Sequence, residues 1–182
     1  MPLMTLVLVA LNVAAYLLEL ASGGQAACEA WGLVPAHVVP GHLFSYLFLH
    51  DPGTVAHLAG NLVFLAIFGA LVEREIGGAK FLTLYFLAGA AGGVLHIAVA
   101  SGATDPLVGC SGAVFGLLAV AGAIRPRMMG FVGTFGAINV AHAFGAPGAG
   151  NVSFAAHLGG LFAGFVFALV LRAAGDEALE AA

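Results

Sequence analysis

The sequence predicts an all-α, polytopic membrane protein: six helices in a single membrane domain spanning residues 1–182. Three observations carry this reading: an apolar composition, a succession of segments near membrane-spanning length, and basic residues that fall on one side once those segments are threaded alternately. Of 182 residues, 62% are hydrophobic and only 8% charged, and the mean hydropathy is +1.08. A water-soluble domain carries nearer a quarter charged residues. The 27 glycines suit membrane helices, whose backbones approach one another at small residues. Two cysteines are too few for a disulfide framework, and with no basic stripe the chain is not expected to bind nucleic acid.

The first helix is expected at 3–20, apolar except for Thr5, Asn12 and Glu19. It lacks a basic leader and a convincing cleavage site, so it reads as a retained helix and not a removed signal. Residues 21–53 form a long outer loop containing Trp31, Pro35 and Pro40. Within it, Leu43 to Leu49 is apolar but too short to cross a bilayer, which suggests an interfacial or partly embedded stretch. Further helices are expected at 54–72, 81–100, 112–124, 128–145 and 153–171. The fourth helix is short, with an apolar run of about 18 Å against about 30 Å of hydrocarbon.

The five basic residues test the threading. Arg74 and Lys80 are expected between helices two and three, Arg125 and Arg127 between four and five, and Arg172 after six. Alternate crossing puts them all on one face, which the positive-inside rule makes cytoplasmic together with both termini. The same residues mark depth. Asn61 lies thirteen residues before Arg74, Ser111 fourteen before Arg125 and His157 fifteen before Arg172. At the helical rise these are separations of about 20 to 22 Å, so three polar residues on three helices share one level, roughly 8 to 10 Å below the outer surface. The short fourth helix then starts beneath that surface, and loop Ser101 to Cys110 dips to reach it. Irregular backbone at such depth needs protein or water around it, which implies a wet cavity open to the outer side.

Ser111 stands in Gly109-Cys110-Ser111-Gly112, where the glycines allow a tight turn and a helix N-terminus favours an anion such as an oxyanion. Such runs also serve as helix caps and packing surfaces. Ser111 and His157 at one level could act as nucleophile and general base, and no carboxylate partner is evident, since Asp51 and Asp105 lie in loops. His57 and Asn61 are four apart, hence on one helical face, and both side chains are able to donate to an oxyanion. Alone, His157 would equally suit a core histidine bonded to a carbonyl, and Asn61 an interhelical hydrogen bond. His96 and His142 have no comparable partner and read as packing or cavity-lining residues, while His37, His42 and His50 read as loop residues, with a structural role open for His50. Gly89 with Gly93, Gly112 with Gly116 and Gly160 with Gly164 have the spacing of close helix contact. Glu73 and Glu75 beside Arg74 suggest a structural ion pair. Cys28 and Cys110 could pair only if the first loop met the dipping loop, which is not expected.

The motifs His57-Leu-Ala-Gly-Asn61 with His50 ahead of it, Phe68 to Gly77 (FGALVEREIG), Gly109 to Gly116 (GCSGAVFG) and Ala156 to Gly164 (AHLGGLFAG) resemble those of the rhomboid intramembrane serine proteases. The match runs from Trp31 to Arg172 in order and spacing. It implies a rhomboid-like bundle in the minimal six-helix form, with Ser111 as nucleophile, in preference to the neighbouring Cys110 thiol, and His157 as base in a dyad without an acid. It also implies an oxyanion hole of the Ser111 N–H, His57 and Asn61, and a transmembrane segment of another protein as substrate, cut near small and helix-breaking residues. The fifth helix and a cap at Ala146 to Val152 would admit that substrate. The chain departs from the family at Gly41 and His42, where many members carry Trp-Arg, at two extra residues around Pro52 and Gly53, and at Ala119 in place of a common glycine. No cofactor or metal is expected. The expected setting is a lipid bilayer, a prokaryotic plasma membrane, with the active site opening to the outer side. Two other readings are a catalytically silent rhomboid-like protein that binds membrane clients and a small transporter or channel using His57, His96 and His157 as a proton path.

Overall fold

The computed structural model describes residues 1–143, 153–176 and 178. Among these the chain is all-helical: α1 Leu3–Ala21, α2 Gln25–Trp31, α3 His42–Ser45, α4 Val55–Ile76, α5 Gly78–Val99, α6 Ser111–Ile124, α7 Met129–Ala143 and α8 Phe154–Ala173. Helices α1, α4, α5 and α8 are long and apolar enough to cross a membrane, and α6 is apolar but shorter. Helix α4 passes through a π turn at Leu65–Gly69. The last two residues of the expected helix 128–145 and the cap at Ala146 to Val152 lie outside the described residues.

Helix α1 faces the bundle along one stripe. Thr5, Leu8, Asn12, Tyr16 and Glu19 are its buried positions, at the three- and four-residue spacing that lines one side of a helix. The three polar residues that interrupt its apolar sequence are therefore the ones turned inward. At its start, the Glu73 carboxylate accepts from the N–H groups of Met4 and Thr5, at 2.8 and 2.7 Å, and from the Thr5 hydroxyl at 2.6 Å. A carboxylate there pairs otherwise orphaned helix N–H groups and meets the positive end of the dipole. Replacing Glu73 with alanine is expected to destabilise the protein by roughly 2–4 kcal/mol, because buried donors lose their acceptor. Unfolding in detergent measures this, and Glu73→Gln should recover part of the loss; an unchanged unfolding midpoint for Glu73→Ala would contradict it.

The expected ion pairing at this end is corrected in two respects. Glu75 pairs with Arg125 of the α6 end and not with Arg74, while Glu73 serves as a cap. Arg74 and Lys80 are also not in a loop. Helices α4 and α5 are separated by Gly77 alone, at φ +81°, so both basic residues occupy terminal helical turns. Long basic stems reach past a helix end to polar partners, and Lys80 meets Asp176 there.

The 21–53 loop is more ordered and better anchored than its composition suggests. It holds α2, α3 and a 3-10 turn at Tyr46–Phe48, and Tyr46 and Leu47 are fully buried. Contrary to expectation, it meets the loop before α6: Leu33 and Leu107 exchange two backbone hydrogen bonds, and the Ala36 N–H donates to Ala103. Paired main chain satisfies polar groups in both loops, which apolar surroundings would otherwise penalise. Cys28 and Cys110 are nonetheless free and buried. Burial and the adjacent Glu19 push the Cys28 thiol up to about 12. Glu19 also accepts the His50 N–H at 2.9 Å, and burial pulls the His50 imidazole down to about 4. At Gly41 and His42, where the family pattern is missing, the loop is held instead by the Ser45 hydroxyl bonded to the Trp31 carbonyl at 2.6 Å and by His42 against the Trp31 ring.

The core of the bundle is α6, packed between α5 and α8. Its glycines make this possible. A Cβ on Gly160 would fall 1.9 Å from the Gly112 carbonyl oxygen, and one on Gly164 2.3 Å from that of Gly116. On the other side, a Cβ on Gly116 would fall 2.3 Å from that of Ala88. Bare backbone lets α6 and α8 touch along two turns, which maximises dispersion contact where lipid gives no hydrophobic drive between helices.

Candidate functional site

Ser111 is the first residue of α6, following Cys110 as N-cap. At that position its backbone N–H has no place in the helical hydrogen-bond ladder. The turn into the helix depends on Gly109, whose φ of +112° disfavours any side chain. Loop 21–53 fixes this turn from outside: the Gly109 N–H donates to the Tyr46 carbonyl at 2.9 Å, and the Tyr46 hydroxyl donates to the Gly89 carbonyl at 2.8 Å. Burial raises the Tyr46 phenol above its ordinary range, so it stays a donor.

His157 lies in the first turn of α8, which Ser153 caps by accepting the Ala156 N–H. Through the glycine contacts of α6 and α8, His157 reaches Ser111: its Nε2 is 2.8 Å from the Ser111 Oγ. The structure thus brings together two residues that the depth markers place at one level. Phe115, one turn below Ser111, stacks on the imidazole with centroids 4.3 Å apart and planes within 6°. Phe154 contributes an edge contact at 6.0 Å. The ring is held between aromatic surfaces, which limits its rotation.

His57 and Asn61, on α4, converge on the same turn from the other side. Both lie against Gly109, where a Cβ would fall 2.9 Å from His57 Nε2 and 3.4 Å from Asn61 Nδ2. The Asp51 N–H donates to His57 Nδ1 at 3.2 Å. A nitrogen that accepts carries no proton, so in the neutral ring the hydrogen is on Nε2, the side facing the turn. Asn61 Nδ2 is buried and has no hydrogen-bond partner among the described residues. A buried donor without an acceptor is costly, and this one is left free to bond a group placed at the Ser111 turn. His50 stands edge-on to His57 at 5.2 Å and is completely buried, so it supports that ring.

Two residues were missed or misread in the sequence. Asn139 of α7 is buried, and its Oδ1 lies 2.6 Å from His157 Nδ1. The depth markers hold a signal for it, because Asn139 stands twelve residues after Arg127 and so near the level of the others. His96, read from the sequence as a packing or cavity-lining residue, is 2.7 Å from the Ser153 hydroxyl through Nδ1, tying the end of α5 to the cap of α8. His142 stacks on Phe154. Asp51 uses its carboxylate on the Gly53 N–H at 2.8 Å. No group of three or more His, Cys, Asp or Glu side chains suited to a metal occurs among the described residues.

A comparison with curated proteins gave no match. A family model described as the Rhomboid domain matches residues 39–174, well over half of the chain and inclusive of the α4, α6, α7 and α8 positions that meet at the site. The chain therefore belongs to the rhomboid family, whose members are in general intramembrane serine proteases.

Proposed function

We propose that the protein is an intramembrane serine endopeptidase that cleaves peptide bonds in or near the transmembrane segments of other proteins. The observation that carries this reading is the 2.8 Å contact between the Ser111 hydroxyl and His157 Nε2 at the start of a short apolar helix. In the reaction, the Ser111 Oγ attacks a peptide carbonyl carbon while His157 Nε2 takes the hydroxyl proton. The tetrahedral oxyanion accepts hydrogen bonds from the Ser111 N–H, Asn61 Nδ2 and His57 Nε2. His157 then donates its proton to the leaving amine, and water repeats the sequence on the acyl-enzyme. A carbonyl within a regular helix is engaged by an N–H four residues on, so the substrate helix must unwind locally first. We place six helices across the bilayer with both termini cytoplasmic and the site opening outward, as the five basic residues suggest.

Asn61→Ala is expected to lower kcat by about 10²- to 10³-fold with little change in KM, as removal of a single oxyanion donor does. Steady-state kinetics on a single-span substrate checks this; a change confined to KM would contradict the role. The proposal as a whole is tested by reconstituting the protein in liposomes with a panel of single-span substrates. Cleavage within or next to the span is expected. Intact substrates together with ion flux that survives Ser111→Ala would overturn it in favour of a transporter.

A further inference from the structure

Resting on that proposed function, we infer that Asn139 is a positioning residue that fixes the tautomer of His157. The side-chain amide of Asn139 has one end that only donates and one that only accepts. Its Nδ2 lies 2.7 Å from the Phe135 carbonyl oxygen one turn back on α7, and a carbonyl only accepts. The amide orientation is thereby set, and Oδ1 is the end that faces His157 Nδ1 at 2.6 Å. That nitrogen must be the donor, so in the neutral ring Nε2 carries the lone pair that accepts the Ser111 hydroxyl proton. The chain runs from the Ser111 hydroxyl through both imidazole nitrogens and the Asn139 amide to the Phe135 carbonyl. Each donor in it polarises the next.

Phe115 sets the plane of the ring by stacking, but stacking leaves rotation within that plane free. The bond to Asn139 removes it. When His157 takes the Ser111 proton, both of its nitrogens become donors, and the Asn139 oxygen keeps its bond while facing the new positive charge with its negative end. No carboxylate is needed for either task. Asn139 belongs to a third helix, α7, which buries only a narrow stripe of Val132, Gly136 and Asn139. A polar residue in that stripe is otherwise an expense in an apolar setting.

The test is the rate at which a fluorophosphonate labels Ser111, measured against pH in wild type, Asn139→Leu and Asn139→Asp. The Leu variant keeps the volume and lacks the acceptor; its labelling is expected to be about tenfold to a hundredfold slower across the profile. The Asp variant restores an acceptor and adds a negative charge beside the imidazole. It should recover at least about tenfold of the loss and move the acidic limb up by about one pH unit. His57, the ionisable side chain that lies against Gly109 on the Ser111 turn, is the same in all three proteins. Labelling of Asn139→Leu within about twofold of wild type would overturn the inference. Should that variant fail to fold, an Asp variant whose acidic limb coincides with wild type overturns it, since a merely structural asparagine would not set the titration of His157. Failure of wild type to label at Ser111 would instead sink the proposed function itself.

Discussion

Changing Ser111 to alanine is expected to lower kcat on a single-span substrate by about 10⁴-fold or more, with no loss of folded protein. The Ser111 side chain makes one hydrogen bond, to His157, and sits at a helix start that Cys110 and Gly109 already shape. Its removal costs a single partly exposed bond, about 1 kcal/mol or less in stability, but takes away the group that attacks the carbonyl in the proposed reaction. His157→Ala should lose a similar factor, and the double variant little more than either alone, because in the proposed reaction nucleophile and base act as one unit. Kinetics on the two single variants and the double variant checks this. Losses that multiply in the double variant would mean the residues work independently, contrary to the 2.8 Å geometry.

The second large effect concerns assembly. Gly160→Ala is expected to destabilise the bundle by about 3 kcal/mol or more, at the upper end of overpacking costs. The added methyl would lie 1.9 Å from the Gly112 carbonyl oxygen and 2.6 Å from its carbon, and backbone inside a helix cannot turn aside as a side-chain tip does. Helices α6 and α8 must separate, and they carry Ser111 one residue before Gly112 and His157 three residues before Gly160. A shift of about 1 Å is enough to break a hydrogen bond of this length, so activity falls together with stability. Gly133→Ala is the control, because nothing lies within 4 Å of a Cβ there. Thermal unfolding in detergent, read beside substrate cleavage, distinguishes them: Gly160→Ala should melt well below wild type, whereas Gly133→Ala should melt at the wild-type temperature. Equal melting of all three proteins would contradict the packing account.

The glycine contacts illustrate what was legible in the sequence. Pairs spaced four apart signal that a helix has a bare face, and the basic residues at helix ends convert chain position into depth. The basic residues by themselves place Ser111 and His157 at one level. They do not say which helix lies beside which face. For that reason Asn139 went unrecognised although its depth was available: its role depends on α7 lying alongside α8, a relation between neighbours that periodicity does not encode. His96 escaped for the same reason, since its partner Ser153 is 57 residues away. In α1 the signal was present but read as interruption. Thr5, Asn12 and Glu19 repeat every seven residues, the spacing of an inward face, and each is buried. The loops meeting at Leu33 and Leu107 left no such trace, because a backbone pairing between irregular segments needs no particular side chain.

The claim on which the account depends is that the Ser111 hydroxyl is made nucleophilic by His157. Treatment with a fluorophosphonate serine probe, followed by peptide mapping in wild type and His157→Ala, tests it without any knowledge of the substrate. The account predicts an adduct on Ser111 in wild type and its near-complete loss in His157→Ala; an adduct on another residue, or one on Ser111 formed equally fast without His157, would contradict it.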